Sequence, residues 1–470
     1  MINLAIVGAG FSGLSVAVEL LHALTKEVRI ILINRTGQLG KGMAYGTNSP
    51  LHLLNVPAGN MSARHGHAAS FVDYCRSRGY KCEPSSFMER SLYGEYLQDL
   101  LRKSADEAMK GLILEMVQGD VVSVQPGENK VWLKLADGSL LSVDHVVLAF
   151  GNFPPAHPLA LLPHRKSRFY YRDPWDARLS PLAATKHTGR TALIGSGLTA
   201  IDVALTLATQ MSAADLPIHM LSRRGVLPSA HRPMRGTPLS YDDLHKELEE
   251  GPAAVLAYAR CVRDRLRQAD SDEDWRDIVG SLRPITRVLW QRLPSVEQKR
   301  FIRHYQPYWD VHRHRMAPAT AQRFAELVKD GAIRLHAGSL KEAAETDGGI
   351  EMVINQRGTS VVTKLNVDWL INCTGPTNDL GRVDDRLVAD LAERGLLTPS
   401  QLGLGINVRD DFTIVNRLGL PIERLSYIGP LLKNQYGEAT SVPELRMFAY
   451  QLAQHMAIKY GQLKQRPLNL

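Results

Sequence analysis

The residues whose types and spacing are most suggestive of chemistry lie in the stretch WDVHRHRMAP (309–318). Two histidines alternate with two arginines, and an aspartate lies two residues before the first histidine. In an extended segment the aspartate, His312 and His314 would share one face, as metal ligands do. Arg313 and Arg315 would share the other face, as a pair of anion-binding cations does. The stretch by itself leaves a metal site, an anion site and polar packing open.

A glycine turn near the start of the chain indicates phosphate binding. An apolar strand, Leu4–Val7, runs into GAGFSG and then into a helical pattern. In this context Gly8 permits the tight turn, Gly10 lets the backbone approach a pyrophosphate, and Gly13 lets the helix pack on the strand. The helix N-terminus then supplies N–H donors and partial positive charge to the phosphates.

A second glycine turn has the same strand, turn and helix order in RTALIGSGLTAIDVALTLA. Gly195 and Gly197 occupy the glycine positions, and Ala200 occupies the third small position. The next strand, PIHML, leads to Arg223 and Arg224, where an NAD-specific fold carries an acid. Guanidinium groups there favour a 2′-phosphate, so we expect NADPH, with NADH as the alternative. The competing interpretation is that both arginines simply face solvent.

These turns must be positioned by two separate parallel sheets. The sequence therefore predicts an α/β fold with two Rossmann-like dinucleotide-binding domains, the NAD(P)H domain being inserted in the FAD domain. We expect the FAD domain at 1–160 and 376–470, and the NAD(P)H domain at 161–375 with a helical insertion at about 236–310. One domain would hold FAD and the other NAD(P)H, so that a hydride can pass from nicotinamide to flavin.

The composition is that of an ordinary globular chain and excludes several classes of function. The 470 residues carry a net charge of +8, but the basic residues are not gathered in a block, so nucleic-acid binding is not expected. No apolar run approaches the ~18 residues that span a bilayer, and Met1 leads directly into a strand without a secretory signal. Four cysteines without a CxxC pair favour a reducing compartment, and the expected location is the cytoplasm. A homo-oligomer is compatible with the sequence.

Several longer stretches resemble a known family. They are GKGMAYGT with HLLNVPAGNMSA (40–63), SLYGEYL (91–97), IGSGLTAIDVAL with LSRRGVLPSAH (194–231), WDVHRHRMAP, INCTGP and VPELR. The chain resembles the two-dinucleotide-domain flavoproteins, and within them a bacterial group named FAD/NAD(P)-binding proteins. That group is related to flavin-dependent N-hydroxylating and Baeyer–Villiger monooxygenases, and a urate-hydroxylating flavoprotein lies in or near it.

The resemblance implies two sets of cofactor contacts. The FAD set lies in the first turn, along the AYGT and NVPAGNMS segments and in later turns: Gly8, Gly10, Phe11, Ser12, Gly13, Gly42, Tyr45, Asn55, Val56, Met61, Val121, Gly151, Gly429, Pro443, Glu444 and Leu445. We also expect cofactor contacts from Gly375 and from Asn34 and Arg35, where the sequence departs from the family pattern. The NADPH set lies in and behind the second turn: Gly195, Gly197, Leu198, Thr199, Arg223 and Arg224.

Two details that the resemblance implies for FAD binding have a chemical rationale. The second strand of an FAD fold usually ends in an acid for the ribose hydroxyls, but here it ends in Asn34 and Arg35. The Asn34 amide oxygen can accept one hydroxyl, more weakly than a carboxylate, and Arg35 could flank the adenine. A helix that begins at Pro443 and is capped by Ser441 would point its dipole at the pyrimidine edge of the flavin, where reduction places negative charge.

The reaction expected from these cofactors is a monooxygenation. A monooxygenase would hydroxylate a small substrate through a hydroperoxyflavin, and its protein groups need only exclude water, position the substrate and stabilise charge. The substrate is expected to be an anionic, urate-like heterocycle or an amine, with oxygen as co-substrate. The alternatives are an NAD(P)H-dependent flavin reductase or dehydrogenase, and a non-catalytic redox sensor. A disulfide reductase would need a cysteine pair, and Cys75 and Cys82 have the wrong spacing.

Flavin chemistry changes the interpretation of WDVHRHRMAP. Because it needs no metal, the metal hypothesis weakens, and we expect no metal site. Packing at a seam between the two domains remains one interpretation of the stretch. A direct role is the other, in which Arg313 or Arg315 contacts NADPH or an anionic substrate while His312 donates a hydrogen bond. An amine substrate would instead call for a carboxylate, for which Glu438 is the candidate.

Overall fold

The structure is a computed structural model that describes residues 1–176, 189–232, 240–269 and 274–460. The chain divides into two compact units. Unit 1 comprises Met1–Asn48, Val56–Asn152 and Asn378–Leu470, and unit 2 comprises Ser49–Asn55 and Phe153–Thr377. The sequence-based boundaries were 160/161 and 375/376, and they did not assign residues 49–55 to the second unit.

The strands of the described residues follow the apolar, β-branched runs of the sequence. In chain order they are β1 (Ile2–Val7), β2 (Val28–Asn34), β3 (Leu112–Gln118), β4 (Val121–Pro126), β5 (Val131–Leu135), β6 (Leu140–Val143), β7 (His145–Leu148), β8 (Tyr170–Tyr171), β9 (Thr191–Ile194), β10 (Ile218–Ser222), β11 (Ile333–Thr346), β12 (Gly349–Gln356), β13 (Val362–Val367), β14 (Trp369–Asn372), β15 (Thr413–Val415) and β16 (Pro421–Tyr427).

The α-helices of the described residues are, in chain order, α1 (Phe11–Ala23), α2 (Gly42–Tyr45), α3 (Ser70–Ser77), α4 (Arg90–Asp106), α5 (Leu198–Ala208), α6 (Asp242–Glu250), α7 (Val255–Arg267), α8 (Trp275–Ser281), α9 (Thr286–Arg292), α10 (Ser295–Arg300), α11 (Gln306–Arg313), α12 (Pro318–Lys329), α13 (Arg386–Glu393), α14 (Lys433–Tyr436) and α15 (Val442–Lys459). A π-helical turn, Phe301–Tyr305, joins α10 to α11. No helix of these described ranges is long and apolar enough to cross a membrane.

Unit 1 is organised by a six-stranded sheet in the order β15-β16-β7-β1-β2-β3. All neighbours are parallel except β15, which pairs antiparallel with β16. The central strand β1 is fully buried from Leu4 to Val7, as expected for a parallel strand covered on both faces. A separate antiparallel sheet, β4-β5-β6, belongs to the same unit. The carboxyl ends of β1, β2 and β7 therefore form one edge, where this class of sheet binds ligands.

Unit 2 is built on a seven-stranded sheet in the order β13-β12-β11-β10-β9-β14-β8. Strands β11, β10, β9, β14 and β8 run parallel to one another. Strands β12 and β13 extend the sheet beyond β11 as an antiparallel meander. Strand β9 is fully buried and pairs with β10 and β14. The α/β class and the two Rossmann-type parallel sheets predicted from the two glycine turns are confirmed.

Helices α6 to α11 of unit 2 interrupt the alternation of strands and helices between β10 and β11. The predicted helical insertion covered about 236–310. A separate apolar cluster holds these helices together, formed by the buried side chains of Tyr241, Leu244, Leu248, Ile278, Leu282 and Ile285. The partly buried Trp309 packs against this cluster and thereby connects α11 to it.

Candidate functional site

The first glycine turn is dictated by close backbone contacts in unit 1. Gly8 has a φ of +105°, and a Cβ there would lie 2.9 Å from the carbonyl oxygen of Ala149, which follows β7. At Gly13 a Cβ would lie 1.9 Å from the Gly8 carbonyl oxygen. Helix α1 can therefore start directly behind β1 only if both positions lack a side chain.

Gly10 has a different role, because a Cβ there would meet nothing within 4 Å. It is the N-cap residue of α1, and the backbone N–H groups of Phe11, Ser12 and Gly13 begin the helix, where N–H groups lack intrahelical acceptors. A Cβ on Gly42 would lie 3.5 Å from the Gly10 Cα atom, so α2 begins beside the turn. Open space over a helix N-terminus is the geometry that a pyrophosphate requires.

The Arg35 side chain at the end of β2 is paired with two carboxylates. The Arg35 guanidinium bonds Asp120 at 2.5 Å and Asp385 at 2.7 Å, so it is anchored within unit 1 by two carboxylates. The Asn34 Nδ2 group donates to Thr36 Oγ1 and to the Gln38 carbonyl. No hydrogen bond of the described residues uses the Asn34 amide oxygen, which keeps it available as an acceptor for a ribose hydroxyl.

A buried tyrosine beside the turn was missed by the sequence reasoning. Tyr93 on α4 is fully buried, and its ring centroid lies 4.6 Å from that of Tyr45 and 6.4 Å from that of Phe11. Within the described ranges its hydroxyl has no hydrogen-bond partner. Burial raises the pKa of both Tyr45 and Tyr93, so both are neutral phenols. A buried hydroxyl without a partner, next to the first turn, is suited to bond a polar atom of a bound cofactor. The sequence signal that pointed to Tyr93 was the SLYGEYL stretch.

The NVPAGNMS segment is divided between the two units. Val56 and the buried Met61 belong to unit 1, where they flank the 3₁₀ turn Ala58–Asn60. Asn55 belongs to unit 2, and its carbonyl oxygen accepts a hydrogen bond of 3.0 Å from His231 Nε2.

Later parts of unit 1 supply the other expected FAD residues. Val121 begins β4 and is buried. Gly429 has a φ of +146°, and a Cβ there would lie 2.6 Å from Tyr427 Oη. Gly151 is constrained in a similar way, because its Cβ would lie 3.0 Å from Cδ of Pro430. At both positions, which follow β16 and β7, neighbouring atoms lie too close to admit a side chain.

Helix α15 begins one residue earlier than predicted, at Val442, so Pro443, Glu444 and Leu445 form its first turn. Ser441 is the N-cap residue, as predicted, and its Oγ donates to Glu444 Oε2 rather than accepting from a helix N–H.

The second glycine turn repeats the geometry of the first in unit 2. Gly195 has a φ of +122°, and a Cβ there would lie 2.3 Å from the Cys373 carbonyl oxygen, at the end of β14. Gly197 is the N-cap residue of α5, and a Cβ there would meet nothing within 4 Å. Leu198 and Thr199 form the first turn of the helix. Gly375, with a φ of +89°, also has open space around it.

The two arginines behind β10 have different environments. The Arg224 Nη2 group donates to the Arg303 carbonyl oxygen at 2.7 Å, and its guanidinium lies 5.1 Å from the ring centroid of Tyr308. Arg223 is exposed and makes no hydrogen bond or ion pair with any residue that the structure describes. Of the pair, Arg223 is therefore the cation available to a 2′-phosphate.

The WDVHRHRMAP stretch is helical up to Arg313, which corrects the extended arrangement considered for it. At about 100° per residue, residues two apart on a helix point to nearly opposite sides, so Asp310 and His312 do not share a face. His312 Nδ1 bonds the Tyr308 carbonyl at 2.7 Å, and its ring meets Trp275 edge-on at 5.0 Å. The described residues contain no group of three or more His, Cys, Asp or Glu side chains that could hold a metal.

Arg315 lies just after α11, in a basic cluster of unit 2 that it forms with Arg313 and Arg276. Its guanidinium is 5.7 Å from the ring centroid of Trp275, a residue whose role the sequence did not indicate. Burial, together with the charges of Arg313 and Arg276, lowers the pKa of Arg315 to about 10. The same cluster and burial lower the pKa of His231 to about 4, so this histidine is neutral near pH 7.

All four cysteines are free thiols, and three of them are buried. Burial raises the pKa of Cys75 to about 12 and raises the pKa of Cys82 and Cys373 as well. Thiols with raised pKa values are poor nucleophiles at neutral pH. Cys75 and Cys82 belong to unit 1 and Cys373 to unit 2.

Comparison with family models matches residues 5–153 to the family described as FAD-NAD(P)-binding. The matched segment contains the end of β1, the first glycine turn, Tyr93 and the strands β2 to β7. A comparison with curated protein sequences gave no match.

Solved structures match the chain over nearly its whole length. L-lysine 6-monooxygenase from Pseudomonas syringae has a TM-score of 0.65 at 14% identity, covering 98% of this chain and 99% of that one. Ornithine hydroxylase from Pseudomonas aeruginosa has a TM-score of 0.62 at 16% identity, with coverage of 97% and 100%. Thioredoxin reductase from Lactococcus lactis has a TM-score of 0.52 at 12% identity, with coverage of 98% and 99%.

The fold is that of a two-domain FAD/NAD(P)-binding flavoprotein. The resemblance stated from the sequence and the expectation of FAD and NAD(P)H as cofactors are confirmed at this level. Because the identities are only 12% to 16%, the structural matches concern the fold.

Proposed function

We propose that the protein is an FAD-dependent, NADPH-using monooxygenase that hydroxylates a small substrate. The observation that carries the proposal is the pair of glycine turns, each with open space over its second glycine, Gly10 in unit 1 and Gly197 in unit 2. Two such turns on two parallel sheets provide one binding place for a flavin dinucleotide and one for a nicotinamide dinucleotide.

The residues of unit 1 fit a flavin dinucleotide. Gly10 and the first turn of α1 would bind the pyrophosphate, and the Asn34 amide oxygen would accept a ribose hydroxyl. The orphaned hydroxyl of Tyr93 would find a polar partner there. The N-terminus of α15, with Pro443 in its first turn, would offer partial positive charge to the reduced ring. Bound FAD would accept a hydride from NADPH and, once reduced, would activate oxygen.

The residues of unit 2 fit NADPH. Gly197 with Leu198 and Thr199 would bind its pyrophosphate at the N-terminus of α5. Arg223 would bind the 2′-phosphate, because it is exposed and makes no bond with the described residues, whereas Arg224 is engaged with the Arg303 carbonyl.

The cysteines and the similar structures favour oxygen transfer over the alternative reactions. A disulfide reductase needs a reactive dithiol, and burial raises the pKa of Cys75, Cys82 and Cys373. The lysine monooxygenase and the ornithine hydroxylase resemble this chain more closely than the thioredoxin reductase does. The alternatives to a monooxygenase are an NAD(P)H-dependent flavin reductase and a non-catalytic redox sensor.

The substrate class is proposed from charge and from the similar structures. The basic cluster around Arg315 supports an anionic heterocycle of the urate type, with Arg313 and His312 nearby. The amine substrates named for the similar hydroxylases support an amine, for which the buried Glu438 is the candidate carboxylate. We place the enzyme in the cytoplasm, acting on a small molecule and oxygen without nucleic acid or membrane. Its oligomeric state is left to measurement.

Anaerobic reduction followed by oxygen tests the reaction. FAD-loaded protein is reduced with one equivalent of NADPH, mixed with oxygenated buffer, and followed by stopped-flow absorbance with and without candidate acids and amines. We expect NADPH to bleach the flavin, a transient near-ultraviolet band to form on mixing, and one substrate to gain 16 mass units, the mass of one oxygen atom.

The same measurements define the contrary results. Rapid reoxidation without a transient and without a hydroxylated product, for every compound tried, would identify a flavin reductase. A flavin that neither NADPH nor NADH bleaches would leave only the sensor. Gly197→Ala is the matched variant, and it should slow reduction by NADPH while FAD remains bound.

A further inference from the structure

The Arg315 side chain is a buried cation held in a fixed place in unit 2. Arg315 is only 9% exposed. The residue that follows it is fixed by two hydrogen bonds, from Met316 N to the Ser229 carbonyl and from His231 N to the Met316 carbonyl. The backbone on which the guanidinium is mounted is therefore ordered by its pairing with residues 229–231.

The Arg315 guanidinium lacks a counterion among the described residues. It makes no ion pair and no hydrogen bond with them, and its Nε atom is buried without a partner. Two aspartates are near enough to influence it, but both are engaged elsewhere. Asp274 binds Arg276 at 3.1 Å, and Asp277 binds Arg232. A buried charge without a counterion is costly, so a ligand that supplies one would bind with a large gain.

Two residues of α8, Gly280 and Trp275, lie beside the Arg315 guanidinium. Gly280 on α8 faces the guanidinium, and a Cβ on Gly280 would meet only Arg315 Nη2, at 3.9 Å. Trp275 on the same helix lies 5.7 Å from the guanidinium and shields one side of it from water. The neighbouring charges, Arg313 and Arg276, lower the pKa of Arg315 further and add to the positive potential. His231 adds no charge near pH 7, because burial and these arginines lower its pKa to about 4.

We propose that Arg315 is the receptor for a compact oxyanion, a carboxylate or a phosphate, that enters beside Gly280 and binds the guanidinium with the support of Arg313. The inference rests on the proposed function only for the source of the anion, which is either a phosphate of NADPH or the acid group of a substrate. A planar guanidinium suits both, because its N–H groups match the spacing of carboxylate and phosphate oxygens.

Inorganic phosphate is the probe for the site itself. FAD-loaded wild-type protein and Arg315→Met are titrated with phosphate against sodium chloride of equal ionic strength, with the midpoint of thermal unfolding as the readout. We expect phosphate to raise the wild-type midpoint and the variant to lose at least about tenfold in phosphate affinity. The variant without phosphate should be as stable as the wild type or more stable, since it removes an uncompensated charge. An equal phosphate response in both proteins overturns the proposal.

Substitutions at Gly280 test the same site without touching Arg315. Gly280→Asp places a carboxylate beside Nη2 and should abolish the phosphate response by supplying the counterion internally. Gly280→Asn has nearly the same size without the charge and should retain more of the response. Arg190→Met removes an exposed positive charge from the same unit and should leave the response unchanged. An undiminished response in both Gly280 variants would contradict the proposed location, even if Arg315→Met fails to fold.

Measurements of dinucleotide binding show whether the anion comes from NADPH or from the substrate. If Arg315→Met weakens NADP⁺ but not NAD⁺, the anion is the 2′-phosphate, and equal weakening of both identifies the pyrophosphate. If neither changes while the phosphate response is lost, the anion belongs to the substrate. A phosphate response that depends on Arg315, in a protein that yields no hydroxylated product, would remove the monooxygenase proposal and leave the anion site standing.

Discussion

At the scale of single residues, the two arginines behind β10 give the first prediction. Arg223→Ala should raise the KM for NADPH roughly tenfold or more and leave the KM for NADH nearly unchanged, because a charge-assisted contact to the 2′-phosphate is lost. Arg224→Ala should have the smaller effect on NADPH, since its guanidinium is already engaged with the Arg303 carbonyl and Tyr308. Steady-state flavin reduction at varied NADPH and NADH measures both constants.

The control for this prediction is the cofactor of the other unit. FAD content, measured from the flavin absorbance per protein, should equal that of the wild type in both arginine variants. If Arg223→Ala raised both KM values equally, the residue would contact a part common to NADPH and NADH, and the assignment of the 2′-phosphate would be wrong.

Residue-scale environments were only partly predictable from the sequence. Arg35 is paired with Asp120 and Asp385, which are distant from it in the chain, so the sequence could not indicate these ion pairs. Arg315 was named as a cation of interest, but its burial depends on Trp275 and Gly280, which no spacing rule connects to it. Side-chain identity is local information, whereas burial and pairing are set by the tertiary fold.

At the scale of elements, substitutions at Gly10 and Gly13 should distinguish a residue needed for cofactor binding from one needed for folding. Gly10→Ala should lower the free energy of unfolding of the FAD-free protein by no more than about 1 kcal/mol, because its Cβ meets nothing within 4 Å and only the N-cap preference for glycine over alanine is lost. The added methyl group should nevertheless weaken FAD binding by filling that space. Gly13→Ala should destabilise the FAD-free protein by about 3 kcal/mol or more, because its Cβ would lie 1.9 Å from the Gly8 carbonyl oxygen. Urea denaturation and FAD titration measure the two effects.

Two outcomes would contradict this division of roles. Wild-type FAD affinity in Gly10→Ala would mean that the pyrophosphate does not pass over this glycine. Wild-type stability in Gly13→Ala would mean that α1 and β1 can move apart at little cost. Gly66→Ala is a useful control for glycine replacement in unit 1, since it tests a positive φ of +77° without a nearby atom.

Elements whose structure depends on residues close in sequence were predicted correctly, whereas the WDVHRHRMAP stretch was not. The strand, turn and helix units around Gly8 and Gly195 follow from apolar runs and small residues that act within a few positions. The WDVHRHRMAP stretch carries alternating residue types, which suggested an extended segment, but Pro307 in the first turn and Trp309 on the apolar cluster make it the end of a helix. Tertiary packing outweighed the local alternation there.

At the scale of the whole molecule, buried histidines should make stability depend on pH. Burial, with the charges of Lys459 and Arg424, lowers the pKa of His145 in unit 1 to about 3. Its ring bonds Ser426 Oγ at 2.9 Å and Tyr460 Oη at 3.1 Å. Between the unfolded pKa of about 6.5 and the folded one, the unfolded chain binds more protons, so stability is complete above pH 6.5 and falls as the pH decreases.

The size of the effect can be measured by urea denaturation from pH 8 to pH 4.5. Because the unfolded histidine is protonated below pH 6.5 and the folded one is not, His145 alone should cost roughly 2 kcal/mol at pH 5. In unit 2, His219 and His231, whose pKa values burial lowers to about 4, act in the same direction. His145→Asn should be less stable at pH 8 through its weaker contacts with Ser426 and Tyr460, yet should lose less stability on acidification. A slope between pH 6.5 and pH 5 equal to that of the wild type would show that His145 is protonated in the folded protein, and its neutrality would then have to be abandoned.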